Sequence, residues 1–376
     1  MVARSRPPRV LHLVTRYRKG GSEQRVRDMV GALSDYEHLV VVGDDSDVVL
    51  AADQLGVPVD DEPTLRRSVG PAHDLRAVIA LTRRIRRERP DVIVTHQSKA
   101  GTVGRVAARL AGRVPVVHSL SMASFGPGYS QTESRVFRTV ERALAPLTAR
   151  YTVVGADLAR RFEVAGVASR KLVIVRSAAT LPAPRPSHVP SVTGIPDGRP
   201  VVLCLGALEP RKHPLDLVPL LLAVQREVPD AFLAVAGEGP LSSELAAAVT
   251  AAGLDDSVAL LGYVKPVEPL LWRSDALVLL SDAEGLPQVL IQAAAAATPF
   301  VTFEVDGARE VVGLGAVGTV VPHGDVGAAA AATARVLLGP PCRHRTVDVS
   351  SWDTDVVHAS YRAVIHELVG EPVGAH

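Results

Sequence analysis

Cysteine is nearly absent: Cys204 and Cys342 are the only two among 376 residues, the first in an apolar run and the second in a Pro-rich loop. Neither a disulfide framework nor a thiolate metal site can be assembled from them, and Cys204 reads as core packing. An excess of one charge is also lacking. A formal net charge of +1, with 4% aromatic residues and no aromatic-rich basic motif, leaves no electrostatic footprint for nucleic acid. No apolar run approaches the roughly 18 residues of a membrane span. Met1 to Arg9 is basic and contains proline, and the apolar run behind it, Val10 to Val14, is too short for the core of a secretory signal. A cytoplasmic location is the expectation. Lysine is scarce as well, five of the 41 basic residues, which makes a lysine in a loop conspicuous.

What is present is the composition of a soluble globular chain, 47% hydrophobic and 22% charged, with a length that suits two cores better than one. Short apolar runs alternate with helical segments. In the first half strands are expected at Arg9 to Val14, His38 to Val42, Asp91 to Thr95, Val114 to Ser119 and Tyr151 to Val154, with helices from about Glu23 to Leu33 and from Asp74 to Glu88. In the second half they are expected at Val201 to Leu205, Phe232 to Ala236, Val258 to Leu261, Ala276 to Leu280, Phe300 to Phe303 and Thr319 to Val321. This alternation predicts an α/β protein whose parallel sheets carry helices on both faces. The run Leu181 to Pro200 holds six prolines and little periodicity. The expected division is a domain over 1–180, a linker over 181–199, a second domain over 200–350 and a helical tail over 351–376 that opens at Ser351-Trp352. Five arginines between Arg83 and Arg89 read as a solvated helix face in preference to a membrane contact, because the segment carries no bulky aromatic.

Ligands of parallel sheets bind beyond the carboxyl ends of the strands. The most informative such edge is Ser281 to Pro299, where an apolar strand is followed by an acidic glycine turn and a helix pattern. Gly285 and Leu286 lead into Pro287, which suits a first helical turn, and the free amides there would meet an anion such as a diphosphate. Glu284 beside them would repel that anion, so its natural partner is a set of hydroxyls on whatever the phosphate carries. A sugar fits.

In this stretch Glu284 is followed by seven residues and then Gln292, which resembles the signature of the family 4 retaining glycosyltransferases, where a second Glu takes the later place. The resemblance covers nearly the whole chain and implies the GT-B fold: two facing Rossmann-like domains, an interdomain cleft and a C-terminal helix that crosses back onto the first domain. It implies transfer of a sugar from a nucleotide diphosphate sugar, UDP or GDP, with retention, to a small acceptor, needing neither metal nor cofactor. Glu284 would contact the donor sugar and Gln292 the ribose. In Gly206-Ala207-Leu208-Glu209-Pro210-Arg211-Lys212 the family has Gly-Arg-Leu and then a Lys; Lys212 is retained as a diphosphate clamp, and Arg211 substitutes for the missing Arg if the loop turns suitably. Tyr263 and Val264 after Gly262 would offer backbone atoms to the base, and the Gly20-Gly21 loop would face the diphosphate and the acceptor.

Two further edges carry the acceptor side. Thr95-His96-Gln97-Ser98-Lys99-Ala100-Gly101 resembles a family segment that opens a helix lining the acceptor, which makes His96 and Lys99 acceptor-binding candidates. In Val117-His118-Ser119-Leu120-Ser121-Met122 the family has His-Thr-x-His-Gly, so His118 is kept and Ser121 replaces the His that contacts the donor sugar. Glu284, Ser121 and His118 are the candidates for the reaction centre. In the family the departing phosphate takes the acceptor proton, so Ser121 is compatible with turnover. The departures Ser121, Ala207 and Gln292 leave two readings open: an acceptor with an amine or thiol nucleophile, or an inactive pseudo-transferase that binds a nucleotide or a protein partner.

Overall fold

The computed structural model describes residues 6–18, 23–68, 70–126, 128–183, 185–340 and 347–370. The chain forms two compact units. One is the chain up to Ala178 together with the segment from Ser351 onward, the other Ala179 to Ser350.

The N-terminal unit is built on seven strands: β1 Arg9–Val14, β2 Glu37–Gly43, β3 Val59–Glu62, β4 Val92–His96, β5 Val116–Leu120, β6 Arg150–Val153 and β7 Leu172–Ile174. They form one parallel sheet in the order β3-β2-β1-β4-β5-β6-β7. Every residue of β4 and β5 is buried, as central strands covered on both faces must be, and this is why they read as continuous apolar runs. Neither β3 nor β7 is expected from the sequence. β3 is Val-Asp-Asp-Glu, an edge strand in which Asp60 and Asp61 face solvent and Glu62 is buried, and β7 is three residues long. The order reverses between β1 and β4, so the loops leaving these two strands diverge and open a crevice at their carboxyl ends.

The tail belongs to this unit. Asp353 caps the helix Thr354–Val369 by accepting from the amide of Asp355 at 2.9 Å. The helix buries Val357, Tyr361, Val364, Ile365 and Val369, a spacing of one helical face, against Met29, Ala32 and Leu33 around the helix Gln24–Ala32 and against Val10, Val92 and Val94 of the sheet. Arg25 of that helix is buried too. It donates to the carbonyl of Val175 at 2.9 Å and to Thr152, and its guanidinium lies 5.5 Å from the Tyr361 ring centre.

The C-terminal unit has six strands: β8 Val201–Leu205, β9 Phe232–Ala236, β10 Val258–Gly262, β11 Ala276–Leu279, β12 Phe300–Phe303 and β13 Gly318–Val321. They pair in parallel in the order β10-β9-β8-β11-β12-β13, with the reversal between β8 and β11. Cys204 of β8 packs against its core. The proline-rich run before β8 is tied to this unit. The Trp272 indole donates to the carbonyl of Ala183 at 3.0 Å, Arg273 holds the carbonyls of Pro196 and Arg199, and the Arg199 guanidinium donates to the backbone carbonyls of Asp230 and Asp256 at 2.9 and 2.8 Å. The arginines between Arg83 and Arg89 are largely exposed, on and just after the helix Pro71–Glu88, with Arg84 paired to Asp60 and Arg86 donating to Leu110. No helix among the described residues is long and apolar enough to cross a membrane.

The most exacting electrostatic requirement of the N-terminal unit is Arg105, whose side chain is fully buried. Glu141 accepts from both terminal nitrogens at 2.9 and 2.8 Å, Tyr151 lies 3.0 Å from one of them, and the Gly101 carbonyl accepts from Nε at 2.7 Å. Removing one partner of such a pair strands the other charge, which costs about 3–5 kcal/mol, whereas an apolar replacement of both is much cheaper. Glu141→Ala is therefore expected to lower the urea midpoint sharply, and Arg105→Met with Glu141→Leu to restore most of it. A Glu141→Ala midpoint equal to the wild type would contradict this role.

Candidate active site

In the C-terminal unit three strands end in glycine turns that lock together. Gly206 and Gly237 adopt φ of 149° and 155°, and a Cβ on Gly237 would fall 1.8 Å from the Gly206 carbonyl oxygen, so the exits of β8 and β9 touch backbone to backbone. Leu208 donates to the carbonyl of Glu238 at 3.0 Å, and Gly237 to that of Gly262 at 2.7 Å. Just past β10 the Tyr263 amide meets the Glu238 carboxylate at 3.3 Å, and the Tyr263 side chain is 59% exposed at the rim.

The loop after β8 then turns at Pro210–Lys212 and reaches across the sheet reversal to the loop after β11. The amide of Asp282 donates to the carbonyl of Arg211 at 2.9 Å, and the Arg211 guanidinium donates to the carbonyl of Ala283 at 2.7 Å. Those bonds bring three charges to one point. Glu284 Oε1 accepts from Arg211 Nη1 at 3.1 Å and forms a short ion pair with Lys212 Nζ. Burial alone would raise the Glu284 carboxyl, but the charges of Lys212 and Arg211 outweigh it and hold the group below the usual carboxylate range. It is an ionised acceptor at neutral pH.

Asp282, which the sequence does not single out, stands two residues before Glu284 in the same turn. Its Oδ1 stands 2.7 Å from His213 Nε2 and 3.1 Å from His323 Nε2. The signal was present in the same acidic turn and in the histidine next to Lys212. Downstream, Gly285, Leu286 and Pro287 lead to the helix Gln288–Ala295. Gly307, at φ of 82°, packs so closely on Leu286 that a Cβ there would fall 2.4 Å from Leu286 Cδ1, which fixes this turn. Gln292 donates to the Thr180 carbonyl at 3.4 Å. Lys212, Arg211, Glu284 and Gly285 thus meet at the crevice between β8 and β11. Gly206, Tyr263 and Val264 lie along the exits of β8 and β10, and Gln292 is one turn into the helix.

In the N-terminal unit the expected residues separate. His96 ends β4 at the reversal and is buried. Lys99, one turn on, is held in a short ion pair with Asp74 of the helix Pro71–Glu88, so its ammonium braces two helices. His118 is sealed inside the wall. Thr95 Oγ1 lies 2.8 Å from its Nδ1, and a Cβ on Gly101 would fall 2.2 Å from its ring. Gly101 is what admits the imidazole beneath the helix Ser98–Ala111. Ser121 follows β5 directly and is half-buried. Gly20 and Gly21 lie outside the described residues.

Two parallel sheets of nucleotide-binding type, the second with a carboxylate and two cations at its reversal, define a two-unit α/β protein of the doubly wound class. Residues 20–178 match the model of the glycosyl transferase 4-like domain and residues 189–349 that of glycosyl transferases group 1. The chain belongs to the family 4 glycosyltransferases, the metal-independent, retaining, nucleotide-sugar-dependent family with the GT-B fold. It is 27% identical over 254 residues to the Escherichia coli UDP-Gal:alpha-D-GlcNAc-diphosphoundecaprenol alpha-1,3-galactosyltransferase, covering 65% of this chain and 66% of that one. It is 28% identical over 291 residues to the Streptomyces fradiae 2-deoxystreptamine N-acetyl-D-glucosaminyltransferase, covering 73% and 69%. Among solved structures, the Anabaena HepE complex with UDP and glucose superposes with a TM-score of 0.69 at 20% identity, covering 95% and 94%. The sucrose-phosphate synthase of Thermosynechococcus elongatus does so at 0.75 and 19% identity, covering 96% and 99%.

The buried imidazoles make stability depend on pH. Burial, aided by the charge of Arg25 for His96 and of Arg105 for His118, lowers both to about 3 from an ordinary 6.5. Above pH 6.5 both folded and unfolded chains hold these rings neutral, and they contribute nothing to the slope. Below it the unfolded chain takes up protons that the folded chain refuses, so stability falls by about 1.4 kcal/mol per pH unit for each ring. The melting midpoint is expected to drop between pH 6.5 and 4.5, with a shallower drop in His118→Gln. Equal slopes in the two proteins would show that His118 is not held neutral.

Proposed function

We propose that the chain transfers a sugar from a UDP- or GDP-sugar to a small acceptor bearing a hydroxyl or an amine, with the donor on the C-terminal unit and the acceptor on the N-terminal one. The observation that carries this reading is the convergence of Lys212 and Arg211 on Glu284 at the sheet reversal. Departure of a nucleoside diphosphate develops negative charge on its β-phosphate, and positioned cations in a partly dehydrated site lower that barrier most effectively. Lys212 supplies a point charge. Arg211 takes the place of the arginine that Ala207 lacks, because its loop turns back towards Ala283. The amides from Gly285 and Leu286 to the helix start add dipoles of the right sign.

Glu284, held ionised, accepts hydrogen bonds from the hydroxyls of the donor sugar. The neutral amide of Gln292 bonds the ribose, and the backbone at Tyr263 and Val264 meets the base. The departing phosphate oxygen takes the acceptor proton on the face it leaves, so no protein base is required. Ser121, just past β5, offers a hydroxyl on the acceptor unit, while His118 supports the wall of that unit from within. Names of relatives support the substrate class: one transfers galactose from UDP-Gal, and another acts on 2-deoxystreptamine.

The test is thermal stability with UDP, GDP, ADP and TDP, for the wild type and for Lys212→Ala. A ligand at 100 times its Kd stabilises by about 2.7 kcal/mol. One diphosphate is expected to raise the wild-type midpoint and to lose at least tenfold in affinity in Lys212→Ala. Glu284→Gln is expected to keep nucleotide binding and lose sugar transfer by two orders of magnitude or more, read by mass spectrometry of the product. Stabilisation by none of the four would overturn the donor-site assignment and favour a pseudo-transferase.

A further inference from the structure

Three histidines cross the sheet of the N-terminal unit edge to edge. His96 ends β4, His12 lies in β1 and His38 in β2, on three neighbouring strands. His96 Nε2 stands 3.2 Å from His12 Nδ1, His12 Nε2 3.0 Å from His38 Nδ1, and His38 Nε2 2.8 Å from the carbonyl oxygen of Leu33. Ring centres 5.2 and 5.5 Å apart, with planes inclined by 22° and 24°, set the imidazoles side by side with their nitrogens meeting. Burial disfavours the charged form of each ring, and all three are neutral at pH 7.

The direction of the chain follows from one backbone atom. The carbonyl of Leu33, at the end of the helix Gln24–Ala32, can only accept, so His38 carries its proton on Nε2. A neutral His38 then presents a lone pair at Nδ1, which takes the proton of His12 Nε2. The same step repeated places the proton of His96 on Nε2. Nδ1 of His96 is left as a bare lone pair, and among the described residues no group donates to it. Nδ1 is not among the sealed, partnerless side-chain atoms of the described residues, so its lone pair is open to a ligand that brings an O–H or N–H.

We propose that His12 and His38 are positioning residues that hold His96 as a permanent hydrogen-bond acceptor at the edge of β4, and that His96 Nδ1 receives a hydroxyl or amine proton of the acceptor substrate. This rests on the transferase reading above. An imidazole fixed in this tautomer cannot donate from Nδ1. It therefore selects neutral or amine-bearing polyols and turns away a phosphate or carboxylate oxygen at the same place.

Nitrogen NMR of the full chain labelled at histidine reads the tautomers directly, with His96→Gln as the assignment control. In the ligand-free wild type His12, His38 and His96 are expected neutral and protonated at Nε2. His38→Phe removes the anchor, and a population of His96 protonated at Nδ1 is expected to emerge. His38→Gln restores the wild-type spectrum at His96, because its amide can donate to Leu33 while its oxygen accepts from His12. Addition of 2-deoxystreptamine is expected to shift the His96 Nδ1 resonance in the wild type and in His38→Gln, and inorganic phosphate at the same concentration to leave it in place. A proton on Nδ1 of wild-type His96, or an unchanged His96 spectrum in His38→Phe, would overturn the positioning role. A shift with phosphate, or none with 2-deoxystreptamine, would overturn the ligand assignment. The tautomers are read without nucleotide, so their failure is distinct from a failure of the nucleotide to stabilise the chain.

Discussion

A charge taken out of water must be answered at close range, and that constraint shapes both units. Glu284 is answered by Lys212 and Arg211, Arg105 by Glu141, and Arg25 by carbonyl and hydroxyl oxygens of three strand ends. The buried histidines escape it by remaining neutral and bonding one another. Each answer draws on elements distant in sequence. Arg105 and Glu141 lie 36 residues apart, and Lys212 and Glu284 72, so the pairs are consequences of the fold and also fasteners of it.

The two kinds of answer suit two kinds of work. Arg105 with Glu141 is fully enclosed and saturated by Tyr151 and Gly101, a device that fixes the helix Ser98–Ala111 against the sheet. Glu284 with its two cations sits at the crevice of a sheet reversal, where Arg211 keeps about a third of its side chain exposed. In the proposed donor site a diphosphate would compete for the same cations with a more concentrated charge, and the carboxylate it displaced would turn to the sugar hydroxyls. On that reading the departure from arginine at Ala207 would be a relocation of charge by a few residues.

Much of this was legible in the sequence. The central strands were, because burial on both faces demands continuous apolar runs, and so were the acidic glycine turn and Lys212, because their residue types are rare in those contexts. The edge strands β3 and β7 were not, since an acidic or three-residue strand has no periodicity to read. His118 read as a reaction-centre residue through its match to the first His of the family's His-Thr-x-His-Gly pattern, which carries no information on burial; Gly101, 17 positions upstream, is what admits its ring beneath the helix. His12 and His38 carry no signal of their own in the sequence, and only strand order joins them to His96. Lys99 was legible as an acceptor-side candidate at a helix start, but its pairing with Asp74 depends on how two helices pack.

The account turns on the claim that the Glu284, Lys212 and Arg211 cluster receives the donor diphosphate and its sugar. A crystal structure of the protein with a nucleoside diphosphate sugar tests it most directly. The account predicts the β-phosphate within hydrogen-bond distance of Lys212 Nζ and the amides at Gly285 and Leu286, with Glu284 on the sugar hydroxyls. A diphosphate bound elsewhere, with Glu284 still paired to both cations, would contradict it.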